Sequence, residues 1–324
     1  MSTARPDDFF VCDIFDAAPK GDLGSMEHPM FSLSTRPDKT IRHYTRGDTT
    51  VTVTPSVRGR ATIHDKDILI YCISQLMAAL NAGRAIARTL TLTAHDLLMA
   101  TQRDTGGDSY TRLRDGFERL AGTRITTNIV TGDLETTTGF GLIESWEIVR
   151  KSRGGRMVSV RVTLSDWLFR AVQAKSVLTL SRDYFSLRKP LERRIYELAR
   201  KHCGQQRTWR ASVATLHEKA GSDAPLRVFR AALRRMITAD GLPDYTMEEE
   251  AGDLIRFTRR GMPAEQAGVT LKPQTLDAAR ALAPGWDVYA LESEWRAFWV
   301  ASGRPALRSA DAAYLGWLKG RVAR

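Results

Sequence analysis

Residues 179–204 read TLSRDYFSLRKPLERRIYELARKHCG and join two segments of the chain that carry the same apolar spacing. From Pro190 onward the stretch has helical periodicity. Leu191, Ile195, Leu198 and Ala199 stand at i, i+4, i+7 and i+8, on one face. Pro190 suits a first helical turn, where its missing N–H is not needed. Gly204 suits the position just past the end, and Arg200, Lys201 and His202 complement a helix C-terminus. Arg188, Lys189, Arg193 and Arg194 crowd the beginning, where the macrodipole disfavours cations. Two readings fit that cluster: phosphate contacts, or a basic turn facing water.

On the N-terminal side, residues 29–55 look strand-like. Phe31 and Leu33 alternate with serines, Ile41 and Tyr44 mark a second run, and TTVTVTP a third, with Arg46-Gly47-Asp48 as a hairpin turn. DKDILIYCISQLMAALNA at 65–82 has a helical period, and its first acids suit an N-terminus. A brief strand (90–93), a short helix (94–100), a Gly-Gly turn and a helix over 110–121 follow, the last capped by Asp108 or Ser109. Strands are expected at 124–130, 142–150 and 156–164. A helix-turn-helix followed by a long hairpin is the order of a winged helix.

On the C-terminal side the order recurs: a short strand from Trp209, helices at 211–220 and 225–239, and a hairpin of 242–250 and 254–258. Tyr110, Leu113, Phe117 and Leu120 have the same offsets as Leu226, Phe229, Leu233 and Met236, which supports a duplication. Beyond a Gly/Pro/Gln-rich loop, Val288, Leu291, Trp295 and Phe298 form an apolar stripe on one of three short helices, expected to be core. The expected fold class is α+β: tandem winged-helix domains (29–178 and 179–260), a flexible arm (1–28), and a linker with a helical segment (261–324).

A net charge of +11 over 324 residues favours a polyanionic partner, with nucleic acid first. Three scattered cysteines fit a reducing cytoplasm rather than a disulfide framework or zinc site. The candidate DNA contacts follow from helix geometry. They are Ser109, Thr111, Arg112 and Arg114 on the first long helix, and Arg227, Arg230, Arg234 and Arg235 on the second. Arg150, Lys151, Arg153 and Arg156 form a basic hairpin tip suited to phosphates or a narrow minor groove. Arg188, Lys189 and Arg193 add phosphate contacts. For either helix taken alone, a solvated face is the favoured reading. Two such helices on one basic chain favour DNA.

No GxxxxGK[ST] loop is present, and the six histidines form neither an HxH pair nor an HExxH. Tyr184 and Tyr196 therefore lack a metal site for nicking chemistry, and Tyr196 is expected to be packing. Asp65-Lys66-Asp67 reads as helix N-terminal charge. We expect no enzyme activity, no cofactor and no metal.

DYFSLRKPLERRIYELARKHCG resembles a hallmark of the replication initiator protein A family of bacterial plasmids. RVTLSDWLFRAV, HPMFSL, DKDILIYCISQL, LESEWRAFW and YLGWLKG resemble other parts of that family, over residues 29–319. The resemblance implies a plasmid initiator that binds repeated double-stranded DNA sites at its origin, helps open the duplex, and recruits a host helicase or its loader and other replication proteins. It also implies exchange between homodimer and monomer. A winged-helix transcriptional repressor is the rival reading.

Overall fold

The computed structural model describes residues 18–46, 49–131, 134–150, 157–204, 206–260, 271–283, 286, 288–303, 305 and 307–322. Strand β1 (Lys20–Asp22) leads into helix α1 (Leu23–Glu27), whose first turn is capped by the Asp22 carboxylate accepting from the Ser25 N–H at 2.7 Å. Strands β2 (Arg42–Arg46) and β3 (Thr49–Thr54) pair antiparallel. Then come α2 (Lys66–Asn81), β4 (Thr89–Leu92), α3 (Ala94–Ala100) and α4 (Gly107–Gly122). Strands β5 (Arg124–Thr131), β6 (Leu134–Gly141), β7 (Ile143–Arg150) and β8 (Met157–Leu164) follow. Helix α5 (Asp166–Gln173), strand β9 (Val177–Thr179) and a 3-10 turn (Arg182–Ser186) lead to α6 (Pro190–Cys203).

After α6 the order is β10 (Thr208–Ser212), α7 (Val213–Ala220), α8 (Leu226–Ala239), β11 (Tyr245–Glu250) and β12 (Leu254–Arg259). Helices α9 (Pro273–Leu282), α10 (Val288–Ala301) and α11 (Ala310–Val322) complete the described chain.

Two stretches share one topology. The first runs α2, β4, α3, α4, β7, β8, with antiparallel sheet order β4-β8-β7. The second runs α6, β10, α7, α8, β11, β12, with order β10-β12-β11. In each, the last strand lies between the other two. The first copy carries an addition, the β5–β6 hairpin, which joins β2 and β3 in a sheet ordered β2-β3-β5-β6. The protein is therefore mixed α and β.

Three apolar clusters match this layout. In the first, Leu113, Phe117 and Leu120 of α4 meet Val160, Val162 and Leu164 of β8. In the second, Phe229, Leu233 and Met236 of α8 meet Ile195 and Leu198 of α6 and Phe257 of β12. Of the four matched positions on each long helix, the last three are buried, whereas Tyr110 is half-buried and Leu226 exposed at the helix starts. Helix α2 serves both clusters, Ile68 and Ile73 in the first and Ile70 in the second. The third cluster, around Leu276, Leu291, Trp295 and Tyr314, lies within α9–α11.

Several expectations need correction. Residues 20–27 are not part of a loose arm: β1 pairs antiparallel with β9, and Met26 is fully buried in the second cluster. The run at Phe31–Leu33 makes only an isolated bridge, Ser32 to Thr62, because Met30 and Phe31 turn into the first core instead. Helix α4 starts earlier than expected, with Gly106 as its N-cap. Strand β6 was not anticipated. Phe298 is 55% exposed, whereas Val288, Leu291 and Trp295 are buried.

Candidate nucleic-acid interface

Three consecutive residues at the start of α2 tie α4 to α6. Asp65 accepts from Arg119 of α4 at 2.7 and 2.8 Å. Gly116 of α4 lets this happen, since a Cβ there would meet the Asp65 carboxylate at 2.9 Å. Lys66, buried, donates to Glu197 of α6 at 2.7 Å. Glu197 also accepts from the Tyr184 hydroxyl at 2.9 Å and from Arg194 at 3.3 Å. Asp67 accepts from Arg103 at 2.9 Å and from Arg193 at 2.5 Å. Asp65-Lys66-Asp67 is thus a hub joining the two repeated stretches, more than helix N-terminal charge.

This overturns part of the basic-cluster reading. Arg193 is 2% exposed and spends its donors on Asp67 and on the carbonyls of Leu187 and Phe185, so it does not face an outside anion. Arg194 is likewise buried against the carbonyls of Ser25, Met26 and Lys219. The macrodipole mismatch is answered from inside the protein. Arg188 and Lys189 do stay exposed; Arg188 reaches the Gln102 carbonyl at 3.4 Å and Lys189 pairs with Glu192 at 2.9 Å.

A cleft of about 620 Å³ opens beside α4. Ser109, Arg112 and Asp115 form one wall, Ser34 and Arg36 another, and Arg188 a third. Ser109 is half-buried there, while Arg112 and Arg36 are exposed, and neither guanidinium has a carboxylate partner among the described residues. His64 lies deeper. Burial and the nearby Arg193 charge push its pKa down to about 4, so it is neutral at physiological pH. Arg36 was missed in the sequence because it sits in a loop with no periodicity.

On the rest of α4, Thr111 is exposed, and Arg114 bonds Glu118 at 3.3 Å, a carboxylate that also meets Arg58 at 2.8 Å. On α8, Arg227, Arg234 and Arg235 are exposed and Arg230 is half-buried. Arg230 is held by Asp253 at 2.8 Å through both donors, and Arg234 by Glu249 at 2.9 and 2.8 Å. Those acids belong to the β11–β12 hairpin, and each is held below the usual carboxylate range by its arginine. Arg227 and Arg235 have no such partner among the described residues. The nearest acid before α8, Asp223, is bound by Arg42 at 2.5 Å. The Arg150 side chain and residues Lys151, Arg153 and Arg156 lie outside the described residues.

Among the described residues, no cluster of His, Cys, Asp or Glu is arranged to hold a metal ion, and no helix is long and apolar enough to cross a membrane. Tyr184 and Tyr196 are fully buried, with burial raising both phenols well above their usual range. The Tyr196 hydroxyl donates to Asp244 at 2.9 Å and accepts from the Ser181 N–H at 2.7 Å.

Arg227 and Arg235 on the exposed face of α8, and Arg36 and Arg112 at the cleft beside α4, define surfaces suited to a polyanion. The Replication initiator protein A family pattern matches residues 20–247, and the chain belongs to that family. A "Putative replication protein" of Wigglesworthia glossinidia brevipalpis is 38% identical over 258 residues, 78% of this chain and 94% of that protein. The fold is similar to the crystal structure of domains 2 and 3 of RctB, with a TM-score of 0.53 at 13% identity over 73% of this chain and 95% of that one. A second RctB domain 2–3 structure gives 0.50 at 13% identity, over 72% and 95%. Membership of the family supports a role in replication initiation.

Proposed function

We propose that the chain is a non-enzymatic plasmid replication initiator, which binds repeated double-stranded sites at its origin, helps open the duplex and brings in host replication proteins. The two repeated stretches act as winged helices, in a single domain pair braced by the Asp65–Asp67 hub. The reading rests on the family and on one observation above all: the outward face of α8 offers Arg227 and Arg235 without a carboxylate partner among the described residues, with the adjacent acids already bound. Arginine at such a position can grip guanine O6 and N7 bidentately or hold phosphate. Arg36, Arg112 and Arg188 around the cleft supply phosphate contacts, and the 150–156 tip reaches the backbone or minor groove.

The buried state of Tyr184 and Tyr196 argues against either phenol as a nucleophile towards DNA. Exchange between monomer and homodimer, and cytoplasmic residence, belong to the same reading.

The test is binding to DNA flanking the protein's own gene against a shuffled duplex, at two salt concentrations. A preference of about a thousand-fold would lie in the range of sequence-specific proteins. Equal binding with a steep salt slope would leave only the polyanion attraction and remove the origin-specific reading.

A further inference from the structure

Base reading by α8, on which this inference rests, leaves one feature of that helix unused. Phe229, Leu233 and Met236 fill its inner face, at 1%, 0% and 7% exposure, yet Val228 is 43% exposed. At about 100° per residue, Ala231 projects outward between Arg227 and Arg235, and Val228 lies next to Arg235 at the edge of the same face. Valine is a middling helix former, so propensity does not account for it on a solvent face. The arginines that could have folded over the patch, Arg230 and Arg234, are drawn towards the hairpin by Asp253 and Glu249. What remains is a small apolar strip beside Arg227 and Arg235, which have no carboxylate partner among the described residues.

The flanking charge commits the strip to a polyanionic partner, and within the major groove the only apolar group on a base edge is the C5-methyl of thymine. We infer that Val228 and Ala231 read thymine methyl groups, making α8 specific for thymine at positions next to those gripped by Arg227 and Arg235. The first turns of a recognition helix are where such contacts fall. The matched residues of α4 are Arg112 and Asp115, so this reading belongs to α8 alone.

The experiment uses the full chain and the duplex it protects beside its own gene, prepared with thymine or with deoxyuridine, which removes the methyl and keeps every hydrogen-bonding group. The wild-type protein is expected to lose about fourfold in affinity per contacted methyl. Val228→Ser/Ala231→Ser should bind the thymine duplex more weakly and respond to deoxyuridine by less than about twofold, half of that single-methyl effect. Arg227→Ala should bind weakly yet keep the full deoxyuridine effect, separating lost affinity from lost methyl reading. Equal wild-type binding to both duplexes overturns the inference, as does full deoxyuridine sensitivity in the double-serine variant. Either result leaves DNA recognition by α8 standing. Absence of any sequence preference would instead remove that recognition, and this inference with it.

Discussion

Helices α4 and α8 occupy the same place in the same topology and carry different surfaces. Matching their core residues sets Thr111 against Arg227, Arg112 against Val228, Asp115 against Ala231, and Glu118 against Arg234. Their hairpins are reversed as well. The tip beyond α4 is basic, from Arg150 to Arg156, whereas β11–β12 carries Glu248, Glu249, Glu250 and Asp253. In the first copy the hairpin tip holds the cations, and the helix mixes Arg112 and Arg114 with Asp115 and Glu118. In the second the helix holds the cations and the acidic hairpin braces it through Arg230 and Arg234. Topology sets where a DNA-facing surface can be, and side chains decide which part of each copy uses it.

The comparison presupposes that the copies are held as one body, and the hub is where that can be broken most severely. Glu197→Ala strands Lys66 and Arg194 as buried cations and orphans the Tyr184 hydroxyl. The expected loss is about 3–5 kcal/mol in urea unfolding. Lys66→Met should cost less, because Glu197 keeps Arg194 and Tyr184. A loss under about 1 kcal/mol in the Glu197 variant, the scale of an exposed pair, would show that the copies do not depend on this link.

A second clamp belongs to the second copy only. Glu27 of α1 binds Lys201 of α6 and, at 2.7 Å, Lys219 of α7. Burial raises its pKa, but the two ammonium groups outweigh burial and bring it down to about 2. The folded value lies below the unfolded 4.5, so this stabilisation is fully present above about pH 4.5 and disappears as pH falls towards about 2. With a quarter of the side chain exposed, Glu27→Gln is expected to cost roughly 2 kcal/mol at neutral pH. The gap from wild type should narrow steadily below pH 4.5, as measured by denaturation across that range. A gap independent of pH would exclude the ion pairs as its source.

How much of this was legible depends on the distance over which each interaction acts. Local signals were enough for Pro190 and Gly204 to bracket α6 and for the matched core spacing of α4 and α8 to stand out. Direction on α8 followed from periodicity, and its arginines point as expected. The fate of those arginines did not, since Arg230 and Arg234 meet acids from a different element. Arg193 was misassigned for the same reason: its partner Asp67 is 126 residues away, and a cation cluster reads alike whether it faces solvent or a buried carboxylate. Strand β6, threonine-rich and lacking apolar alternation, gave no strong period.

The helix contrast itself is sharpened by alanine substitutions read on the protected duplex. Arg227→Ala and Arg235→Ala should each cost about 1–3 kcal/mol if they read bases. Arg234→Ala should cost less, because Glu249 already holds its guanidinium. Larger losses at Arg234 than at Arg227 would mean that the hairpin releases its arginines on DNA.

The smallest effect is expected at the basic tip of the first copy. Lys151 has a charge to offer a phosphate but no base edge to read in this scheme, so Lys151→Ala should weaken binding to specific and shuffled duplexes alike. It should also flatten the salt dependence by about one in slope, the signature of one lost phosphate contact. The matching change in the second hairpin, Glu248→Ala, removes an acid bonded to Arg256 and should leave the slope unchanged or steeper. Measured together across salt, the two variants test whether the hairpins divide as their charges do. A selective loss on the specific duplex from Lys151→Ala would place the tip at a base edge and make the first copy a sequence reader through its hairpin.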